Sequence, residues 1–288
     1  MSNILVTGFT GNTGQEVAKK LKVKNASILC AVRHPENALK KYEEQNYVHL
    51  DYSRHETFEP ALLGIDRIFL MYPPETLLSD FHAFIHKSQE MGIRHIVYLS
   101  VKDAQRLPFI PHFKNERAIA RSGIPYTFLR AGYFMQNLNL FMLDEIIKND
   151  RIYVPAGRGK TSFTDVRDIA EIAARSLTES AAHLGKKYAL TGSQAIDFYE
   201  VARMMTTIIG RPISYSQPST KEFKTYMLAK GLESKYINVV SGIHFITKIG
   251  LAKGITDVYA NITHEQPTGI ETYIRDYQAS FIPEKSIG

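Results

Sequence analysis

Short apolar runs punctuate the first half of the chain, at Ile4–Val6, Ile28–Val32, Tyr47–Leu50, Ile68–Met71, Ile96–Leu99 and Tyr126–Leu129. Their starts lie roughly 20 to 30 residues apart, the size of a strand–helix–strand unit. Between them the spacing turns helical, over Thr13–Leu21, Leu77–Met91 and Lys114–Ser122. Unbroken apolar runs suit strands buried on both faces, as in a parallel sheet. A helical protein with short buried segments accounts for neither the run length nor the β-branched content. Strand and helix in alternation predict a doubly wound parallel α/β sheet.

Past residue 150 the alternation weakens. Asp168–Leu177 reads as an amphipathic helix and Lys187–Leu190 as one more strand. Tyr199–Ile209 reads as a helix stopped by Gly210 and Pro212. From Ser214 on, the pattern gives helices (Glu222–Gly231, Ile270–Tyr277) and little strand. The expected organisation is a sheet domain over 1–155, to which the 187–190 strand returns, and a smaller, mostly helical lobe over 156–288. No internal repeat or low-complexity stretch is visible.

Composition narrows the class. With 288 residues, 44% hydrophobic and 22% charged, the balance is that of an ordinary globular protein and the length is ample for a core. A disordered chain, a collagen-like chain and a small disulfide scaffold are excluded. The net charge of +6 is shared evenly, +3 in each half. A diffuse excess does not mark a nucleic-acid site, and an anionic ligand is the simpler account. One cysteine, Cys30, allows no internal disulfide and no cysteine metal cluster. It is compatible with a reducing cytoplasm. No apolar run approaches a membrane span. The N-terminus enters a strand at once, without the basic and apolar regions of a signal peptide, so a cytoplasmic setting is expected. The ten histidines read as scattered, and no metal is expected.

The sharpest local feature is Gly8-Phe9-Thr10-Gly11-Asn12-Thr13-Gly14, set between the first strand and the first helix. Glycines permit the tight turn and a close backbone approach to a pyrophosphate, and the helix N-terminus offers free N–H groups and a favourable dipole. A glycine triplet alone says little; the strand before and the helix after supply the context it needs. Gly8, Thr10, Gly11, Asn12, Thr13 and Gly14 are the expected dinucleotide-binding residues. The second strand ends in Ala31-Val32-Arg33-His34, without the acid that accepts from the 2′-hydroxyl of NAD; the nearest is Glu36. Arg33 can fork onto a 2′-phosphate, so NADP(H) is favoured over NAD(H). After the fourth strand, Tyr72 and Pro73 belong to a loop expected on the ribose and nicotinamide side.

The GxxGxxG spacing resembles that of the extended and atypical short-chain dehydrogenase/reductases. Ordinary short-chain enzymes carry Tyr-x-x-x-Lys on the helix after the fifth strand, where one turn puts both side chains on one face and the lysine tunes the tyrosine as acid or base. Here the residue four before Lys114 is Ile110. Two other matches are read as chance: Tyr98…Lys102 at a strand end, and Tyr226…Lys230 in the second lobe. In place of the pair stands His112-Phe113-Lys114…Glu116…Ser122-Gly123-Ile124-Pro125-Tyr126-Thr127-Phe128-Leu129-Arg130-Ala131-Gly132-Tyr133-Phe134…Asn137. Ser100, Thr164-Asp165-Val166-Arg167-Asp168-Ile169-Ala170, Tyr188-Ala189-Leu190-Thr191-Gly192, Gly210-Arg211 and Thr268-Gly269 fall around it in the same order. Taken together these resemble the NmrA-like branch over nearly the whole chain.

The resemblance implies a Rossmann-like fold and three kinds of member. Some are NADPH-dependent reductases of quinones, azo compounds or plant phenylpropanoid double bonds. Some are sensors that bind NADP without turnover and regulate a protein partner. Others are called nucleoside-diphosphate-sugar epimerases by fold analogy, a reading that needs the missing tyrosine base. The expected activity is reduction of a small quinone-like or other conjugated acceptor, with the non-enzymatic sensor as the rival. Lys114 and His112 are the candidate catalytic groups; two residues apart on a helix, they do not share a face. A solvated lysine and a helix-start histidine are the competing readings. The resemblance also suggests Asp51 and Ser100 for the cofactor, although Asp51 reads equally as a helix cap. Tyr133, Phe134 and Asn137 are candidates for a substrate pocket, with plain core packing as the alternative. Asp165 and Asp168 open a helix, where capping explains them as well.

Overall fold

The computed structural model describes residues 3–42 and 45–283. The chain divides into two compact units, Met1–Ala131 with Val166–Leu190, and Gly132–Asp165 with Thr191–Gly288. The sequence pattern suggests a boundary near 155, with the 187–190 strand returning to the first domain. In the folded chain there are three crossings between units, and the helix at 166–178 is grouped with the sheet. Among the described residues no helix is long and apolar enough to cross a membrane.

The first unit is built on a seven-stranded parallel sheet. Its strands are β1 Asn3–Val6, β2 Ser27–Val32, β3 Tyr47–His49, β4 Arg67–Leu70, β5 His95–Val101, β6 Tyr126–Ala131 and β7 Lys187–Leu190. The order is β7-β6-β5-β4-β1-β2-β3. Each apolar run of the first half has become a strand. The order reverses at β1, which lies between β2 and β4; ligands of such sheets bind beyond the carboxyl ends of the strands at this point.

The helices of this unit are α1 Asn12–Val23, α2 Pro35–Lys41, α3 Phe58–Leu62, α4 Leu78–Glu90, α5 Pro111–Arg121 and α6 Val166–Thr178. Alternate strand residues face opposite sides, as the strand period of two requires. Leu5, Ile68, Leu70, Ile96 and Tyr98 pack with Phe81 and Phe84 of α4 and Ile119 of α5. Cys30 and Val32 pack with Phe9, Ala18 and Ala38. Each fully buried aromatic or aliphatic side chain contributes about 1.5–3 kcal/mol. The α6 helix lies along α1, tied by Lys20–Glu171 at 3.2 Å. The α5 helix starts three residues before the expected Lys114, because Pro111 in its first turn is preorganised for helix.

The second unit holds a three-stranded sheet, Ala195–Ile196, Thr161–Thr164 and Tyr133–Phe134, and a small parallel pair, Arg151–Ile152 with Ser214–Tyr215. Its longer helices are Phe198–Ile209, Thr220–Ala229 and Ser234–Lys248. Two begin with capping boxes, Asp197 with Glu200 and Ser219 with Glu222. The Ser234–Lys248 helix leaves no periodic pattern in the sequence, for a physical reason. Ile237, Val240 and His244 point inward while Val239 and Phe245 are exposed, so no polar face marks its period.

Candidate functional site

The loop after β1 is shaped by three glycines with three different reasons for being glycine. Gly8 has φ +67°, and a Cβ there would stand 2.7 Å from Met71 Sδ. A Cβ on Gly14 would stand 2.3 Å from the Gly8 carbonyl oxygen. Both are demanded by the fold. Gly11 is not: its Cβ would meet only that oxygen, at an ordinary 3.5 Å, and its backbone is extended (φ −97°, ψ 165°). Gly11 is also the N-cap of α1, with no side-chain cap and no acidic residue in the first turn. The N-terminal N–H groups of a 12-residue helix are thus left to another acceptor. A glycine unexplained by packing, at an uncapped helix start, fits the close approach of a pyrophosphate. Thr10, Gly11 and Asn12 are exposed, and Thr13 is buried. The loop is anchored by Phe9, whose ring meets Tyr42 at 5.4 Å and Tyr47 at 5.6 Å. Thr7 donates to Phe69 O at 3.0 Å and accepts from Met71 N at 2.8 Å, fixing the loop after β4 beside it.

Arg33 is exposed just past β2. Asp51 accepts from the Ser53 hydroxyl at 2.7 Å and the Ser53 N–H at 2.9 Å. That hydroxyl bond chiefly holds the carboxyl below its usual range, and the Arg33 charge adds to the effect. The structure thus brings Arg33 and Asp51 into electrostatic contact and employs Asp51 in its own turn.

Beyond β4 and β5 the helix α5 sorts its residues by face. His112, Asn115 and Glu116, at i, i+3 and i+4, face the sheet, and Lys114 is exposed. Ser100 donates to Glu116 Oε1 at 2.6 Å. Arg130 grips the same carboxylate with two bonds, at 3.0 and 2.6 Å. This ion pair ties β5, α5 and β6 together, with Arg130 12% and Glu116 7% exposed. Ser100, expected at the cofactor, gives its proton to Glu116 instead. The Tyr98 hydroxyl stands 2.8 Å from His112 Nδ1 and accepts from Asn115 Nδ2 at 3.1 Å. The Asn115 carbonyl oxygen lies 3.0 Å from His82 Nε2. Tyr72 packs its ring edge-on to His112 at 6.2 Å and to Phe81 at 4.9 Å. Burial pushes His112 down to about 4 and pushes Tyr98 up. Tyr98, Asn115 and His82 are not among the expected site residues. Only the three-residue spacing of His112 and Asn115 signals them in sequence.

In the second unit Tyr133 belongs to the core, 8% exposed. Its hydroxyl donates to His244 Nε2 at 2.8 Å, while His244 Nδ1 donates to Val240 O at 2.7 Å. Asn137 is buried, and Phe134 is half-buried. None of the three lines the cavity of about 200 Å³ found in this unit, which is walled by Met135, Phe163, Gln194, Ile196, Met204 and Thr268 among others. Gly192 and Gly269 line it as well. Sequence reasoning missed this cavity, because its walls come from separate stretches of chain.

The two stray Tyr-x-x-x-Lys matches have other occupations. Lys102 pairs with Asp103 at 3.0 Å. Tyr226 and Lys230 both reach the buried Glu145, each at 2.8 Å, joined there by Arg151 at 2.8 Å. Asp165 accepts from Gln136 at 2.9 Å. The histidines do contain one His-x-x-x-His pair, His82 and His86 on α4, against the expectation that they are merely scattered. His82 meets Asn115, while His86 pairs with Glu90 at 3.2 Å. Among the described residues no three ligand-type side chains are grouped to hold a metal ion.

The fold has counterparts among known proteins. The profile of the NmrA-like family matches residues 1–274. An NAD(P)H azoreductase of Xenophilus azovorans is 28% identical over 289 residues, covering 96% of this chain and 99% of that protein. The prestalk A differentiation protein A of Dictyostelium discoideum is 27% identical over 280 residues, covering 95% and 92%. Among solved structures, an NADPH-dependent quinone oxidoreductase of Escherichia coli complexed with NADPH shares the fold. Its TM-score is 0.85 at 24% identity, with 95% of this chain and 99% of that chain covered.

Proposed function

The chain belongs to the NmrA-like family, and on that premise we propose that it is an NADPH-dependent reductase of a small quinone-like or otherwise conjugated acceptor. The observation that carries the reading is Gly11: a glycine without a packing reason at the uncapped start of α1. The reductase names of the azoreductase and quinone oxidoreductase relatives support it.

When bound, the reduced nicotinamide would supply the hydride. Gly8, Thr10, Gly11, Asn12, Thr13 and Gly14 would hold the pyrophosphate through the close approach the glycines allow, the free N–H groups of the helix start and the helix dipole. Arg33 pairs with the 2′-phosphate, which gives the preference for NADP(H) over NAD(H). Asp51, Tyr72 and Pro73 would hold the nucleoside parts. Ser100 acts from beneath by holding Glu116. Such a reduction needs little acid–base help and depends mainly on holding donor and acceptor together. Absence of the Tyr-x-x-x-Lys pair therefore suits it. Of the two candidate polar groups on α5, His112 is built into a hydrogen-bonded network, and the exposed Lys114 can reach a ribose hydroxyl or an acceptor.

The test is NADPH oxidation, followed by absorbance, against a panel of quinones and azo dyes, with a parallel binding titration. Acceptor-dependent oxidation is expected. Tight binding without oxidation across the panel would refute the reductase and favour a sensor. Such a sensor must also distinguish the oxidised from the reduced dinucleotide, since a ligand shifts a population only through differential affinity.

A further inference from the structure

The hydrogen bonds around Tyr98 run in one direction. Asn115 donates an amide N–H to the Tyr98 oxygen, and among the described residues His112 Nδ1 is the one acceptor within reach of the buried Tyr98 hydroxyl, so the hydroxyl hydrogen is directed there. A nitrogen that accepts cannot carry a proton, so the neutral ring holds its hydrogen on Nε2. At the far end, the Asn115 carbonyl oxygen can only accept, so His82 Nε2 donates to it. Tyr98 and Asn115 are both fully buried, which fixes the links geometrically. His112 Nε2 has no partner among the described residues and is not one of the buried unpartnered atoms, so it opens to solvent. It does so beyond the carboxyl ends of β4 and β5. On that edge the Tyr72 ring lies against His112, and the preceding residue, Met71, lies against Gly8.

We propose that Tyr98, Asn115 and His82 are positioning residues that hold His112 as a neutral imidazole with its Nε2–H turned outward, a fixed donor for an acceptor bearing a carbonyl or quinone oxygen. The proposal rests on the reductase reading for its acceptor, and on the hydrogen bonds alone for the ring. Reduction of a quinone delivers two electrons and one hydrogen as hydride from the reduced dinucleotide, and leaves negative charge on an oxygen. The Nε2–H stabilises that charge by a hydrogen bond and keeps its own proton; water supplies the proton that completes the hydroquinone. Such preorganised donors act where charge develops in the transition state. Burial keeps the ring uncharged at neutral pH. Glu116, the one charged group acting on it among the described residues, is already claimed by Arg130 and Ser100. Tyr72 and Tyr98 are the remaining titratable neighbours, from the β4 loop and β5. The arrangement selects acceptors that offer an oxygen lone pair at this point and disfavours those that present only an N–H donor there.

The experiment has two arms. The first is long-range proton–nitrogen NMR of the histidine rings in the cofactor-free, full-length protein, with His112 assigned by loss of its signals in His112→Gln. A protonated Nε2 with a bare Nδ1 is expected near pH 7, collapsing to a tautomer mixture in Tyr98→Phe. A protonated Nδ1 in the unaltered protein would overturn the proposal, as would an unchanged signature in Tyr98→Phe. If that variant fails to fold, the spectrum of the unaltered protein decides the tautomer by itself. The second arm is turnover of NADPH and para-benzoquinone. His112→Leu is expected to lose about 10²-fold in kcat with KM little changed. His112→Gln, whose amide keeps a donor near the Nε2 position, is expected to recover part of it. Equal turnover by His112→Leu and the unaltered protein would overturn the acceptor contact. If the unaltered protein reduces nothing, the reductase reading and the acceptor contact fail together, while the first arm still decides the tautomer.

Discussion

Replacing Gly11 by alanine separates what the fold needs from what a ligand needs. The backbone at Gly11 is extended (φ −97°), a conformation any residue adopts. The new methyl would touch only the Gly8 carbonyl oxygen, at 3.5 Å. Loss of unfolded-state freedom favours the variant by roughly 0.4–1 kcal/mol. Alanine is a poorer N-cap than glycine by a similar amount. The two offset, so the net change is expected within about 0.5 kcal/mol, or ~1–2 °C in Tm. Gly14→Ala is the contrast: its methyl would sit 2.3 Å from Gly8 O, an overlap that forces a backbone shift. Overpacking of that kind costs about 1–3 kcal/mol. The assay pairs thermal melts of both variants with calorimetric titration of NADPH. Gly11→Ala should melt like the unaltered protein and bind at least about tenfold more weakly, a loss of ~1.4 kcal/mol. Unchanged binding by Gly11→Ala would refute the assignment of this loop. So would a melting loss equal to that of Gly14→Ala, because the glycine would then have a packing reason after all.

Three further outcomes are expected. Arg33→Ala should weaken NADPH binding while leaving NADH binding unchanged in parallel titrations; an equal effect on both would remove the 2′-phosphate role. Burial lowers His95, His112 and His244 from 6.5 to about 4. On acidification the unfolded chain takes up these protons first, so stability is full above 6.5 and is lost as pH falls toward 4. The loss is about 2 kcal/mol per histidine by pH 5, read as a drop in urea midpoint that shrinks in a His244→Phe variant. Finally, Arg130→Met alone strands the buried Glu116 carboxylate and should cost about 3–5 kcal/mol. Adding Glu116→Leu should restore much of that loss in a double-mutant cycle, and strictly additive effects would contradict the pairing.

The sheet was legible because its strands are buried on both faces, so Ile4–Val6 or Ile96–Leu99 reads as strand without knowledge of any neighbour. The 166–178 helix was legible as a helix, yet its companion was not. An amphipathic stripe says that one side is buried and does not say against what. The helix at 234–248, apolar on both its inward and exposed sides, left no stripe to detect. At the site the same division holds. The Gly8–Gly14 loop is local, and its strand–turn–helix context identifies it. The His112 network draws on α4, β5 and α5, with partners at 82, 98 and 115 that only folding brings together. In sequence Tyr98 stands out only as one half of a failed Tyr-x-x-x-Lys match, although its real partner lies fourteen residues on. Tyr133 and Asn137 follow a spacing shared by core and pocket, and in the folded unit both are buried.

The last strand of the sheet carries a consequence for biosynthesis. β7 and α6 belong to the first unit, although thirty-four residues of the other unit are made between β6 and α6. Until residue 190 leaves the ribosome β6 presents an unpaired edge, and until residue 178 does α1 lacks its packing neighbour. Open edges of this kind invite pairing with other chains. The nascent sheet is therefore exposed for the whole of that detour, and the first unit cannot mature before the first thirty-four residues of the second have been translated.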